Sequence, residues 1–88
     1  MRMIEAAVSS WEDAKKLILR EAERRLDGRV EDCWVDSIRL EQHKDGDIWV
    51  VRLKTILKKG FSKEGYLISA KIDSINGEIK EFEAKPAR

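Results

Sequence analysis

Cysteine, proline, histidine, tyrosine, asparagine and glutamine each occur once in this 88-residue chain, and each scarcity narrows its chemistry. The lone Cys33 excludes a disulfide within the chain and any cysteine-rich zinc site. A reactive thiol needs an exposed, cationic setting, which Glu31 and Asp32 oppose. The alternation around Cys33 and Trp34 suits a small core hydrophobe instead. The lone His43 falls in a turn between strands, with no G-x-S-x-G or comparable nucleophile context, and reads as a solvated turn histidine. No G-x-G-x-x-G, P-loop, H-E-x-x-H or C-x-x-C motif occurs. No catalytic residue, cofactor site or metal ligand is therefore assigned, and an enzyme is not expected. No apolar stretch approaches the length of a membrane span, and residues 1–10 do not read as a secretory signal. The expectation is a cytoplasmic protein with no membrane partner.

Charge is abundant but balanced. Eighteen basic and 17 acidic residues leave a net +1, which weakens any global electrostatic case for nucleic acid or an anionic membrane. Many Glu, Lys and Arg with a single Asn76 and Gln42 is a composition associated with thermophiles. The 42% of hydrophobic residues, including three Trp, are ample for folding. The length suits one small domain over residues 1–88, with an ordered core over about 9–83 and a fraying end over 84–88.

Residues 9–26 carry a helical period. Trp11, Ala14, Leu17, Ile18, Ala22 and Leu26 form one stripe, read as the core face. Ser9 with Glu12 fits a capping box, and Gly28 supplies a left-handed residue at the end. Glu12 and Asp13 in the first turn and Arg24 and Arg25 in the last suit the helix dipole. Glu12–Lys16 and Glu21–Arg25 are well-oriented i,i+4 pairs.

Beyond Gly28 the period becomes two. Trp49, Val51, Leu53, Thr55 and Leu57 share one face of a strand over 48–57, and Tyr66, Ile68, Ala70 and Ile72 one face of a strand over 65–73. A first strand over 31–42 changes phase between Val35 and Ile38, which predicts a bulge near Asp36 and Ser37. Short connectors imply antiparallel neighbours. The predicted fold is α+β: one N-terminal helix packed on an antiparallel three-stranded meander, α-β-β-β, which a short fourth strand over 78–83 can extend.

One helix covers one sheet face, and the opposite face is expected to be polar. Ile48, Val50, Ile56, Leu67 and Ile75 fall out of phase with the covered set, and such an apolar patch marks an interface. The leading expectation is a non-enzymatic interaction or assembly module: a homodimer whose sheets or strand edges meet, with room for a further protein partner of unknown identity. The alternative is a nucleic-acid-binding module using the connector over 58–63. There Lys54, Lys58, Lys59 and Lys63 surround Phe61 and Tyr66, so that cations meet phosphates while an aromatic stacks on a base. Lysines guarding a solvated hairpin explain the same residues, and the balanced charge favours that simpler account.

Asp73, Asn76 and Glu78 invite comparison with a calcium loop. The EF-hand template fails, because Ile75 and Gly77 fall where it needs oxygen ligands. What remains is an Asn-Gly hairpin signal flanked by alternating apolar residues, with the acids as turn residues.

The run Leu26-Asp27-Gly28, then Asp45-Gly46-Asp47-Ile48-Trp49-Val50-Val51, then Tyr66-Leu67-Ile68-Ser69-Ala70-Lys71-Ile72-Asp73 with Gly77-Glu78-Ile79, resembles PepSY-type and cystatin-like small α+β domains. It is also similar to the gas-vesicle accessory proteins of the O type. The likeness spans residues 10–82 and lies in apolar positions and turns, while the basic connector over 58–63 departs from the PepSY form. The resemblance implies a binding, inhibitory or assembly module and carries over no catalytic residue.

Overall fold

The protein, described over residues 8–87 in a computed structural model, begins with helix α1 (Trp11–Leu26). Four strands follow: β1 (Arg29–Glu41), β2 (Ile48–Lys59), β3 (Ser62–Asp73) and β4 (Ile79–Pro86). They form one antiparallel sheet in the order β1-β2-β3-β4. The expected α+β meander is present, with four strands rather than three. The reading of residues 1–7 lies outside the described residues.

The fourth strand is longer than its sequence suggests for a local reason. Ile72 pairs with Ile79 and Lys71 with Glu81, so Lys80 is an extra residue that interrupts the period of two. Residues 84–86, expected to fray, are paired with Ile68, Leu67 and Tyr66, and the Ala87 amide donates to the Gly65 carbonyl at 2.9 Å. The bulge expected near Asp36 is present as a register shift between Val35 and Ser37, and a second shift lies between Val30 and Asp32.

Helix α1 is capped one residue later than the spacing suggested. Ser10 is the N-cap, and its hydroxyl accepts from the Asp13 amide at 3.2 Å, while the Ser9 hydroxyl donates to the Asp13 carboxylate. Asp13 thus takes the place assigned to Glu12. At the other end Asp27, not Gly28, holds the left-handed conformation (φ 55°, ψ 55°). Gly28 answers a different need: a Cβ there would stand 3.0 Å from Lys59 Cγ and 3.1 Å from the Lys58 carbonyl oxygen. The chain passes too close to the end of β2 for a side chain. Glu23 completes the junction by accepting from the Val30 amide at 2.9 Å. Glu21 engages both Arg24 and Arg25, whereas no ion pair joins Glu12 to Lys16 among the described residues.

The helix packs on one sheet face through Ala14, Ile18 and Ala22, all fully buried. Two alanines flanking one isoleucine let the helix approach the sheet closely. Beneath it lie Val51, Leu53, Ile68, Ala70 and Ile72, with Leu57 buried further along β2. Each large side chain among these contributes roughly 1.5–3 kcal/mol by leaving water. Trp11, read as core, is instead 47% exposed at the start of the helix. Its place is taken by Val8, which is 1% exposed, donates from its amide to Ser74 and accepts at its carbonyl from Trp49 Nε1 at 3.0 Å.

Candidate functional site

Opposite residues of an antiparallel ladder share a face, so the register sorts every side chain. Cys33–Thr55–Tyr66 and Ile38–Val51–Ala70–Phe82 face the helix. The rows that alternate with these face away: Trp34–Lys54–Leu67–Lys85, Ser37–Arg52–Ser69–Glu83 and Arg39–Val50–Lys71–Glu81. This open face is broken by charge rather than continuously apolar.

The five residues assigned to an apolar interface are therefore not equivalent. Val50 is 9% exposed, and Ile48 and Ile56 are half-buried. Leu67 is 50% exposed on the open face. Ile75 is 55% exposed but belongs to the β3–β4 turn, where it approaches Gly46 of the β1–β2 turn. The sheet brings Ile48, Val50, Ile56 and Leu67 to one face and leaves Ile75 outside it.

What the sequence pattern missed on that face are the residues interleaved with the apolar ones. The two inner strands present Arg52, Lys54, Lys58, Lys63 and Lys71 outward, and their only outward acid is Asp73 at the end of β3. Outward acids collect instead on the outer strands, as Asp32 and Glu41 on β1 and Glu81 and Glu83 on β4. Lys71 reaches Glu81 at 3.8 Å and Arg39 reaches Glu41 at 2.8 Å, whereas Arg52, Lys54 and Lys58 enter no ion pair among the described residues. Counting residues at every second position of β2 between 50 and 58 would have revealed this stripe.

The basic connector is shorter than it reads. Lys58 and Lys59 end β2, Lys63 lies in β3, and only Gly60 and Phe61 form the turn. Gly60 takes φ 60°, as a two-residue hairpin with Gly first requires. Phe61 is fully exposed at the tip. Two of the lysines are already engaged. Lys59 Nζ donates to the Tyr66 hydroxyl at 2.8 Å and reaches Glu64 at 3.1 Å, while Lys63 reaches Glu31 at 2.9 Å. The Tyr66 hydroxyl and Lys59 together hold the Glu64 carboxyl below its usual value, and these partners hold Lys59 above its own. Lys54 and Lys58 point to the open face, so the connector's cations do not converge on Phe61.

The turn after β3 uses its oxygens internally. Asp73 Oδ1 accepts from the Ile75 and Asn76 amides, and Asn76 Oδ1 accepts from the Glu78 amide. Gly77 alone takes positive φ there, at 75°. Among the described residues, no group of three or more His, Cys, Asp and Glu is placed to hold a metal ion. His43 is exposed, 3.4 Å from Glu41. Cys33 is half-buried, and desolvation pushes its thiol above the usual value against the opposing charge of Lys15. Its neighbour Thr55 is fully buried, with a hydroxyl that meets no hydrogen-bond partner.

The two sheet edges differ. β4 carries exposed Lys80, Glu81, Glu83, Lys85 and Pro86 along its free side, which discourage strand addition. β1 leaves Trp34, Val35 and Leu40 between 43% and 50% exposed along a 13-residue strand. No helix of the described residues is long and apolar enough to cross a membrane. No family model matches the chain, and no curated protein or solved structure matches it either.

Proposed function

We propose that this chain is a non-enzymatic cytoplasmic interaction module that works as a homodimer, its two copies joined along their β1 edges. The observation that carries this reading is the run of large apolar side chains on β1: Trp34, Val35 and Leu40 stay half exposed there, between the charged positions Asp32, Asp36, Arg39 and Glu41. An unpaired strand of this kind offers backbone donors and acceptors to a second strand, and pairing would cover Val35 and Leu40 on the helix side of the sheet while Trp34 stays on the open face. Stacking of the open faces is disfavoured, because a twofold axis there would set Arg52, Lys54 and Lys71 against their own copies. The likeness to PepSY-type and cystatin-like modules fits an interaction role.

Light scattering at micromolar concentration tests the reading. The expected result is a dimer that Val35→Lys and Leu40→Glu each convert to a folded monomer. A monomeric wild-type chain, or variants that remain dimeric, would overturn it.

A further inference from the structure

We infer that the open sheet face, centred on Trp34, Arg52 and Lys54, is a binding surface for single-stranded nucleic acid. The site lies within one protomer and stands whether or not the β1 edges pair.

The first observation is charge separation. The chain as a whole has a net charge of +1. Yet the charged outward side chains of the inner strands are basic except for Asp73 at the end of β3, while the other outward acids sit on the outer strands. Arg52, Lys54 and Lys58 are exposed and enter no ion pair among the described residues. Each is separated from the next by one or two pairs of strand residues, so the three form a line along β2. A polyanion laid along that line would meet successive cations and release its counterions.

The second observation is the aromatic beside that line. Trp34 is 50% exposed and stands directly opposite Lys54, with Leu67 on the far side of the lysine at the same exposure. Trp34, Arg52, Lys54, Leu67 and Ser69 border one depression of the face, whose single acid is Asp36 at the β1 bulge. An indole at the rim of a cationic groove is the pairing that single-strand binders use: the base stacks on the ring and the phosphate meets the cation. An acidic peptide would use the cations but presents a flat ring only where an aromatic residue falls, whereas a single strand carries one beside every phosphate. Duplex DNA fits poorly, because four strands about 4.8 Å apart span roughly 15–20 Å with their side chains, wider than a major groove of about 12 Å.

The test is fluorescence anisotropy of labelled oligouridylate and oligothymidylate with the full chain at low salt. Binding is expected, with affinity falling steadily as salt rises. Trp34→Ala should weaken binding at least several-fold while leaving the salt slope unchanged. Arg52→Ala with Lys54→Ala should flatten that slope by about 1.4 in log–log form, the loss of two phosphate contacts to a single strand. All three positions are exposed, and circular dichroism checks that the variants fold. Failure of both oligonucleotides to bind at low salt would overturn the inference. So would equal binding of wild type and Trp34→Ala, equal binding of duplex, or equally tight binding of polyglutamate.

Discussion

Gly28 lies so close to the end of β2 that a methyl group on it would stand 3.1 Å from the carbonyl oxygen of Lys58. The residue before it, Asp27, takes the left-handed turn that ends α1. Two opposite outcomes follow at adjacent positions. Gly28→Ala should destabilise the fold by about 1–3 kcal/mol, since backbone and packed atoms must shift. Asp27→Gly should be neutral or stabilising by up to about 1 kcal/mol, because glycine adopts that conformation without steric cost. Urea unfolding of both variants decides the matter, and a tolerated Gly28→Ala would contradict the close approach.

Thr55 keeps a hydroxyl in the core that meets no partner. Valine has nearly the same shape and brings no polar atom inside. Thr55→Val should therefore raise stability by about 1–2 kcal/mol, the usual cost of a buried unsatisfied group. The midpoint of denaturation should rise with an unchanged slope; a fall would mean that the hydroxyl is satisfied in solution.

Glu21 accepts from both Arg24 and Arg25, and these hydrogen bonds hold its carboxyl below the usual carboxylate value. The unfolded chain therefore binds this proton more tightly than the folded one. The resulting stabilisation is complete above the unfolded value and is lost as pH falls through the folded one. Exposure of the arginines keeps the effect modest and sensitive to salt. Glu21→Gln should flatten the acid limb of the stability profile and leave a small deficit at neutral pH. An acid limb identical to wild type would remove Glu21 from the account.

Cys33 should resist thiol reagents in the native state. Burial raises its thiol above the usual value, with Lys15 only partly opposing, and the attacking species is the thiolate. Labelling at neutral pH should be slow and should accelerate when denaturant opens the fold. A rapid burst from the native protein would show instead that the β1 edge opens freely around it.

Much of this architecture is written in local patterns. The helical stripe of Ala14, Ile18 and Ala22, the period of two in β2 and β3, and the phase change in β1 each depend on neighbours within a few residues. A reading one residue at a time can see them. The errors fall where a residue answers to a distant partner. Gly28 looked like a helix cap because glycine usually is one, and its true constraint comes from Lys58, thirty positions along the chain. Trp11 looked like core because it fits the stripe; the space beyond the helix start is closed by Val8 on Trp49 instead. β4 looked marginal because one bulge at Lys80 breaks its alternation.

The candidate surface shows the same division. Alternation was enough to place Val50, Ile56 and Leu67 on the face away from the helix. Whether that face is apolar or cationic depends on which side chains of four strands stand in one row, and register across a sheet is set by pairing and bulges rather than by any one strand. The nearly balanced charge of the sequence says nothing of where each sign goes. Pairing collects Arg52, Lys54 and Lys71 at the centre beside Trp34 and moves Glu81, Glu83 and Asp32 to the margins. Local spacing was sufficient for the elements, because their forces are short-ranged along the chain. The surface they present required the fold, because the residues that compose it meet only across strands.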